Sequence, residues 1–124
     1  MSGLMGDVGS KSYLIGLQKN VSGAWITFHG TTNAINGSHN ISSLTDEATG
    51  RYLLTFATAL PSKEFAASGM TEAAGSGGNK GDAFVTFDSD PNSTRSTTTI
   101  RVWTETWDGY AADNERCDVN IMGG

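Results

Sequence analysis

Hydrophobic and polar residues alternate with a period of two along much of the chain. In AWITFH (residues 24–29), Ala24, Ile26 and Phe28 fall on one side and the intervening residues on the other. This alternation is typical of a β-strand with one buried face. No window of eleven or more residues keeps the spacing of an amphipathic helix, so the pattern predicts an all-β fold.

Six further segments show the same alternation or a strong β-propensity. They are residues 35–43, 51–58, 64–70, 82–88, 96–106 and 117–122. We expect residues 35–43 to form a hairpin with residues 51–58, and TDEATG (45–50) to form a turn. Seven short strands at this spacing predict an antiparallel β-sandwich or barrel over residues 23–124.

The first 22 residues fit neither periodicity. Glycines are interspersed with isolated apolar side chains, and this composition predicts an extended N-terminal arm that docks on a partner. The apolar residues expected to dock it are Leu4, Met5, Val8, Tyr13, Leu14 and Ile15. Three polar stretches predict loops, namely a glycine-rich one at 75–81, DSDPNS at 88–93 and residues 108–115.

The composition and net charge of the chain argue against several classes of function. The 124-residue chain has a net charge of −5, which repels phosphate and disfavours nucleic-acid binding. The most apolar stretch, residues 52–60, is too short to cross a bilayer, and residues 1–10 lack the pattern of a signal peptide. We therefore expect cytoplasmic synthesis and no membrane insertion. Cys117 is the single cysteine, which excludes an intramolecular disulfide or a cysteine-rich zinc site.

The sequence offers little that supports catalysis or cofactor binding. His29 and His39 are the available imidazole bases, and neither lies in a catalytic motif. AGSGG (74–78) lacks the following helix of a nucleophile elbow, and Gly81 stands where a P-loop has Ser or Thr. DSDPN (88–92) begins like a calcium loop but lacks its later ligands, so a looser calcium site stays open. We expect a non-enzymatic protein without a cofactor.

The tryptophans fall on the side of their strands that faces away from the aliphatic residues. In TIRVWTETW (99–107), Ile100 and Val102 share one face, whereas the arginine and both tryptophans share the other. A monomer seldom leaves that much aromatic area bare. We expect it to be covered by the arm or a loop, to form a subunit interface, or to stack against a glycan. The candidate residues are Trp25, Arg101, Trp103, Trp107 and Tyr110.

Several segments carry a family resemblance. They are AWITFHG (24–30), NISSLTD (40–46), TGRYLLTF (49–56), TALP (58–61), IRV (100–102) and VNIMG (119–123). In order and spacing they resemble a module common in tail-fibre and other virion structural proteins of tailed bacteriophages, especially marine ones. The opening GLMGDVGSKS (3–12) is similar to the start of other phage structural proteins. The resemblance covers roughly residues 24–70 and 97–123.

This resemblance implies a non-enzymatic β-rich virion component, often trimeric, that is assembled in the host cytoplasm and forms or decorates an appendage. A chain this short would be a tip, knob or adaptor rather than a fibre with a shaft. The implied partners are further copies of the chain, other virion proteins bound through the arm, and a host-surface glycan. Two alternatives stay open: a capsid decoration (cement) protein, and a small carbohydrate-binding or carbohydrate-active protein outside a virion.

Overall fold

In the computed structural model, the described residues are 22–72, 83–87, 95–106 and 108–123, and they form strands and their connections. Eight strands lie within these ranges. They are β1 (Ser22–His29), β2 (Ala34–His39), β3 (Ile41–Ala48), β4 (Arg51–Phe56), β5 (Phe65–Glu72), β6 (Ala83–Phe87), β7 (Thr99–Thr106) and β8 (Arg116–Gly123). The predicted all-β fold is confirmed. Within the described ranges, no helix is long and apolar enough to cross a membrane.

The strands form two separate four-stranded sheets, so the fold is a sandwich rather than a closed barrel. The first sheet has the order β2-β1-β8-β5 and the second has the order β3-β4-β7-β6. All neighbouring strands are antiparallel. The central pairs, β1 with β8 and β4 with β7, join distant parts of the sequence. Both sheets therefore depend on long-range pairing.

The core lies between the inner faces of the two sheets, where the alternating apolar residues meet. Phe28 of β1 and Tyr52 of β4 pack edge to face across it, with their ring centroids 5.0 Å apart. Each large apolar side chain that becomes fully buried contributes roughly 1.5–3 kcal/mol to folding. The buried apolar residues are Ala24, Ile26, Phe28, Tyr52, Leu54, Phe56, Leu60, Phe65, Ile100, Val102, Cys117, Val119 and Ile121.

The structure differs from the sequence prediction at residues 35–43, which the alternation predicts as one strand. The chain instead leaves β2 and enters β3 at Asn40, so β2 pairs with β1 and β3 pairs with β4 in the other sheet. Asn40 has a φ of 55°, a left-handed conformation that asparagine adopts more readily than most residues. This change of sheet produces the eighth strand, so the predicted number of seven was one too low.

The Asn40 side chain ties the two sheets together at this crossing. Its Nδ2 donates to the carbonyl of Gly23 in β1 at 2.9 Å and to the carbonyl of Thr58, beyond β4, at 3.0 Å. Its Oδ1 accepts a hydrogen bond from the Thr58 amide at 2.7 Å. One residue therefore clamps the same end of both sheets.

The predicted turn at residues 45–50 is wrong in its extent. β3 continues to Ala48, and only residues 49–50 turn before β4 begins. Gly50 makes this tight turn with a φ of 65°, and a Cβ there would lie 2.5 Å from the Thr104 carbonyl oxygen. The register between β3 and β4 shifts between Asp46 and Ala48, which makes Glu47 the extra residue of a β-bulge.

The other predicted strands agree with the structure to within three residues at each end. The segment predicted at 64–70 is β5, and those at 82–88, 96–106 and 117–122 are β6, β7 and β8. Residues 108–115 form a connection, as predicted. The sequence therefore located these elements from residue type and alternation alone.

Several predicted features lie outside the described residues. They are residues 1–21 of the N-terminal arm predicted at 1–22, with Leu4, Met5, Val8, Tyr13, Leu14 and Ile15, the glycine-rich stretch at 75–81, the turn with the calcium candidate at 88–93, and Trp107. β1 begins at Ser22, the last residue of the predicted arm.

Candidate binding surfaces

The outer face of the first sheet carries a groove across β1, β8 and β5. Its volume of about 540 Å³ lies within the range of about 300–1,000 Å³ that is typical of small-ligand clefts. Strand register builds it, because Trp25 faces Asn120, and Asn120 faces Ser68, across the three strands. The outward-pointing residues that line the groove are Trp25, Thr27, Ser68, Met70, Asp118 and Asn120.

Trp25 and Met70 form the apolar sides of the groove. The Trp25 side chain is 40% exposed and the Met70 side chain 76% exposed. Edge strand β2 supports the indole, because a Cβ at Gly37 would lie 3.3 Å from two atoms of its six-membered ring. Glycine at this position lets the ring lie close against the strand. The indole is therefore held in place while a large part of it stays open to solvent.

The polar part of the groove is fixed by hydrogen bonds. The Thr27 hydroxyl donates to Oδ1 of Asp118. The Arg116 Nε lies 3.2 Å from each oxygen of the same carboxylate. A carboxylate offers about four acceptor positions, and a hydroxyl that donates once keeps two lone pairs. Asp118 and Thr27 thus retain acceptor capacity, and the exposed Ser68 hydroxyl adds a donor and acceptor on the same face.

The outer face of the second sheet carries charged side chains that contact one another. The Glu47 carboxylate accepts from Nε of Arg101 at 2.7 Å and from its Nη2 at 3.3 Å. Nε of Arg51 lies 3.4 Å from the same carboxylate, and its guanidinium lies 5.3 Å from the centroid of the Trp103 ring. We name these four residues the charged array. Because Arg51 stacks over Trp103, the guanidinium covers a face of that ring, whereas the indole of Trp25 stays open to solvent.

The predicted site residues divide between the two faces of the sandwich. Arg101 and Trp103 lie together on the outer face of the second sheet, as the alternation predicts. Trp25 lies across the core, on the outer face of the first sheet. Tyr110 is 70% exposed in the connection that follows β7. The described candidate residues therefore do not form one surface.

The residues considered for nucleophilic catalysis lie in different environments. His39 is exposed on edge strand β2, whereas Nδ1 of His29 is buried without a hydrogen bond. Burial raises the pKa of the Cys117 thiol, although its hydrogen bond with Thr71 acts in the opposite direction. A reactive thiol needs a lowered pKa and access to solvent. Cys117 has neither, so we interpret it as a core residue. The described residues hold no group of three His, Cys, Asp or Glu placed to bind a metal.

Sequence reasoning missed a buried polar cluster at one end of the sandwich. The Tyr52 hydroxyl lies 2.8 Å from Oδ1 of Asp113 and 3.0 Å from the Gly30 carbonyl oxygen. The Gly50 amide donates to the same Oδ1 at 2.7 Å. Burial, followed by the hydrogen bond to Asp113, raises the pKa of Tyr52 far above its ordinary value of 10.0. The hydroxyl therefore keeps its proton and holds the connection at 108–115 against the core.

Sequence reasoning also missed the groove. Asp118 and Asn120 alternate with the buried residues of β8, and this period of two was the available signal that they share an outer face. The position of Met70 carries no such signal, because β5 pairs with a strand 44 or more residues later in the chain. Local patterns thus identify the outward residues of each strand but not which strands are neighbours.

Comparison of the chain with protein-family models, with curated proteins and with solved structures finds no match. The residues and geometry of this chain define a β-sandwich with a groove of ligand size on one outer face and the charged array on the other.

Proposed function

We propose that this protein is a non-enzymatic structural component of a tailed-phage virion, in the form of a short tail-fibre or knob protein that contacts the host surface. The observation that carries the proposal is the pair of opposed outer faces, each built around a tryptophan. An appendage protein needs one surface for assembly and another that faces outward. The segments that carry the resemblance to phage modules contribute to β1, β3, β4, β7 and β8, which supports the same interpretation.

We assign self-association, as a homotrimer, to the charged array. Tryptophan and arginine are enriched in protein interfaces and often dominate their energetics. Glu47 holds the guanidinium of Arg101 in a two-point contact, so little side-chain freedom is lost when a partner binds. In a cyclic trimer, each array would contact a different surface of the next copy.

Light scattering on the purified full chain tests this assignment. The expected mass is three times the 13.0 kDa of one chain. Trp103→Ala and Arg101→Glu should both lower it to that of a single chain, whereas Trp25→Ala, on the opposite face, should leave it unchanged. A wild-type protein that stays monomeric at high concentration would overturn the trimer.

Electron microscopy of virions carrying a labelled copy tests the location. We expect the label on a tail appendage, and deletion of residues 1–21 should prevent attachment while circular dichroism shows that the β-domain still folds. A label at the symmetry axes of the capsid would favour the decoration protein instead. Exclusion of the labelled protein from particles would refute a virion role.

A further inference from the structure

We propose that the groove on the outer face of the first sheet binds a neutral oligosaccharide. Trp25 would stack on one sugar ring, Met70 would border the opposite side, and Thr27 and Asp118 would accept hydrogen bonds from sugar hydroxyls. This inference names the ligand class of a specific site and does not depend on which particle or surface carries the protein.

The two described tryptophans differ in how open their rings are to a ligand. The apolar C–H face of a sugar ring packs on an exposed aromatic face. Trp25 offers such a face, because Gly37 supports the ring from the strand side and 40% of the side chain remains exposed. Trp103 is stacked by the Arg51 guanidinium. A saccharide would have to displace Arg51 in order to stack on Trp103. We therefore assign sugar stacking to Trp25.

The polar part of the groove presents hydrogen-bond acceptors to a ligand. The Thr27 hydroxyl and the Arg116 guanidinium hold Asp118 in place, so its remaining acceptor positions point in fixed directions. An apolar protein segment seated here would bury these acceptors without donors, which is unfavourable. Sugar hydroxyls supply the donors. The combination of an aromatic side and fixed acceptors therefore favours a saccharide over an apolar segment of protein.

The charge of the groove distinguishes neutral ligands from acidic ones. Among the described residues that line the groove, Asp118 is the single charged one, and the chain as a whole carries −5. The Arg116 side chain is already paired with Asp118. A sugar with its own carboxylate would meet the like charge of Asp118. The groove therefore suits neutral sugars and disfavours acidic ones.

The test is a titration of the ¹⁵N-labelled full chain, followed through the indole N–H signals of its three tryptophans, each assigned by a Trp→Phe variant. The probes are maltose, cellobiose and lactose, with sialyllactose as the acidic counterpart of lactose. Concentrations up to about 50 mM are sufficient to detect millimolar affinity. We expect the Trp25 signal to shift saturably with at least one neutral disaccharide, the Trp103 signal to stay in place, and sialyllactose to bind at least about tenfold more weakly than lactose if lactose is the ligand.

Variants locate the site. Trp25→Ala should weaken binding about tenfold or more, as read from the remaining backbone signals. Met70→Ala should weaken it about threefold, and because Met70 is 76% exposed this variant should fold normally. Ile35→Ala is the matched control, since it removes an exposed apolar side chain outside the groove.

Several results would overturn the inference. They are the absence of a saturable Trp25 shift with all three neutral disaccharides, binding that Met70→Ala and Trp25→Ala both leave unchanged, and a Trp25 signal that moves with protein concentration alone together with a doubled mass. The last result would make the groove an interface between copies. Failure of the trimer or of virion location is read from mass and microscopy, so it is distinguishable from failure of saccharide binding.

Discussion

The hydroxyl of Tyr52 fastens the connection at 108–115 to the end of the sandwich, and Tyr52→Phe measures its contribution. The substitution keeps the ring that packs against Phe28 and deletes the oxygen that lies 2.8 Å from Oδ1 of Asp113. A hydrogen bond to a charged acceptor contributes about 1.5–3 kcal/mol. Asp113 keeps the Gly50 amide as a partner, so we expect the free energy of unfolding to fall by about 2 kcal/mol.

Urea denaturation at pH 7, monitored by circular dichroism, measures this loss. For a domain of this size, about 2 kcal/mol corresponds to a decrease in Tm of roughly 6–12 °C. The matched control is Tyr110→Phe, which removes the hydroxyl of an exposed tyrosine and should change stability by less than about 0.5 kcal/mol. If Tyr52→Phe changes stability as little as this control does, the cluster does not secure the connection.

The same variant has a distinct pH dependence. In the folded protein the pKa of Tyr52 is raised, so above its ordinary value of 10.0 the unfolded chain binds fewer protons at this residue than the folded chain. The contribution of Tyr52 to stability is fully present below pH 10 and decreases as the pH rises above it, by up to about 1.4 kcal/mol per pH unit. The stability difference between wild type and Tyr52→Phe should therefore narrow above pH 10. A difference that stays constant or widens there would contradict the raised pKa of Tyr52 in the folded protein.

Three further predictions concern the stability of the fold and the access of a reagent to Cys117. Asn40→Ala removes the clamp between the sheets and leaves alanine in a left-handed conformation, so urea denaturation should show a loss of about 2–4 kcal/mol. Asn40→Gly should lower the free energy of unfolding by less than Asn40→Ala does, because glycine adopts the left-handed conformation without strain. Equal losses would show that the strain of alanine in this conformation contributes nothing to the loss. Glu47→Gln should cost about 1–2 kcal/mol and reduce the salt dependence of stability, whereas the exposed Glu64→Gln control should do neither. Native Cys117 should react with a thiol reagent only as fast as the protein opens, and immediate labelling would contradict its burial.

Much of the fold could be predicted from the sequence because each strand keeps one apolar face. The alternation in residues 24–29 correctly assigned Ile26 and Phe28 to the core and Trp25 to the outside. The same reasoning placed Arg101 and Trp103 on one outer face. These assignments depend on neighbours two residues apart, and the pleat of a strand fixes that relation locally.

The missed features depend on geometry that residue type does not encode locally. The change of sheet at Asn40 requires a single left-handed residue within a continuous β-prone stretch. The bulge at Glu47 adds one residue to β3 and so brings the carboxylate to both arginines. The groove requires β5 to lie beside β8, and the Tyr52–Asp113 hydrogen bond joins residues 61 positions apart. Such contacts form only when the whole sandwich assembles.

The sandwich is only one layer of interdigitating side chains thick, about 10 Å between its sheets. Ile26 and Val119 belong to this layer and also lie beneath the groove, while Val102 contributes to it from the strand that carries Trp103. The two outer faces therefore rest on the same layer of core side chains. A mutation that alters the volume of that shared layer would disturb both faces at once, so neither surface is free to evolve its shape without consequences for the other.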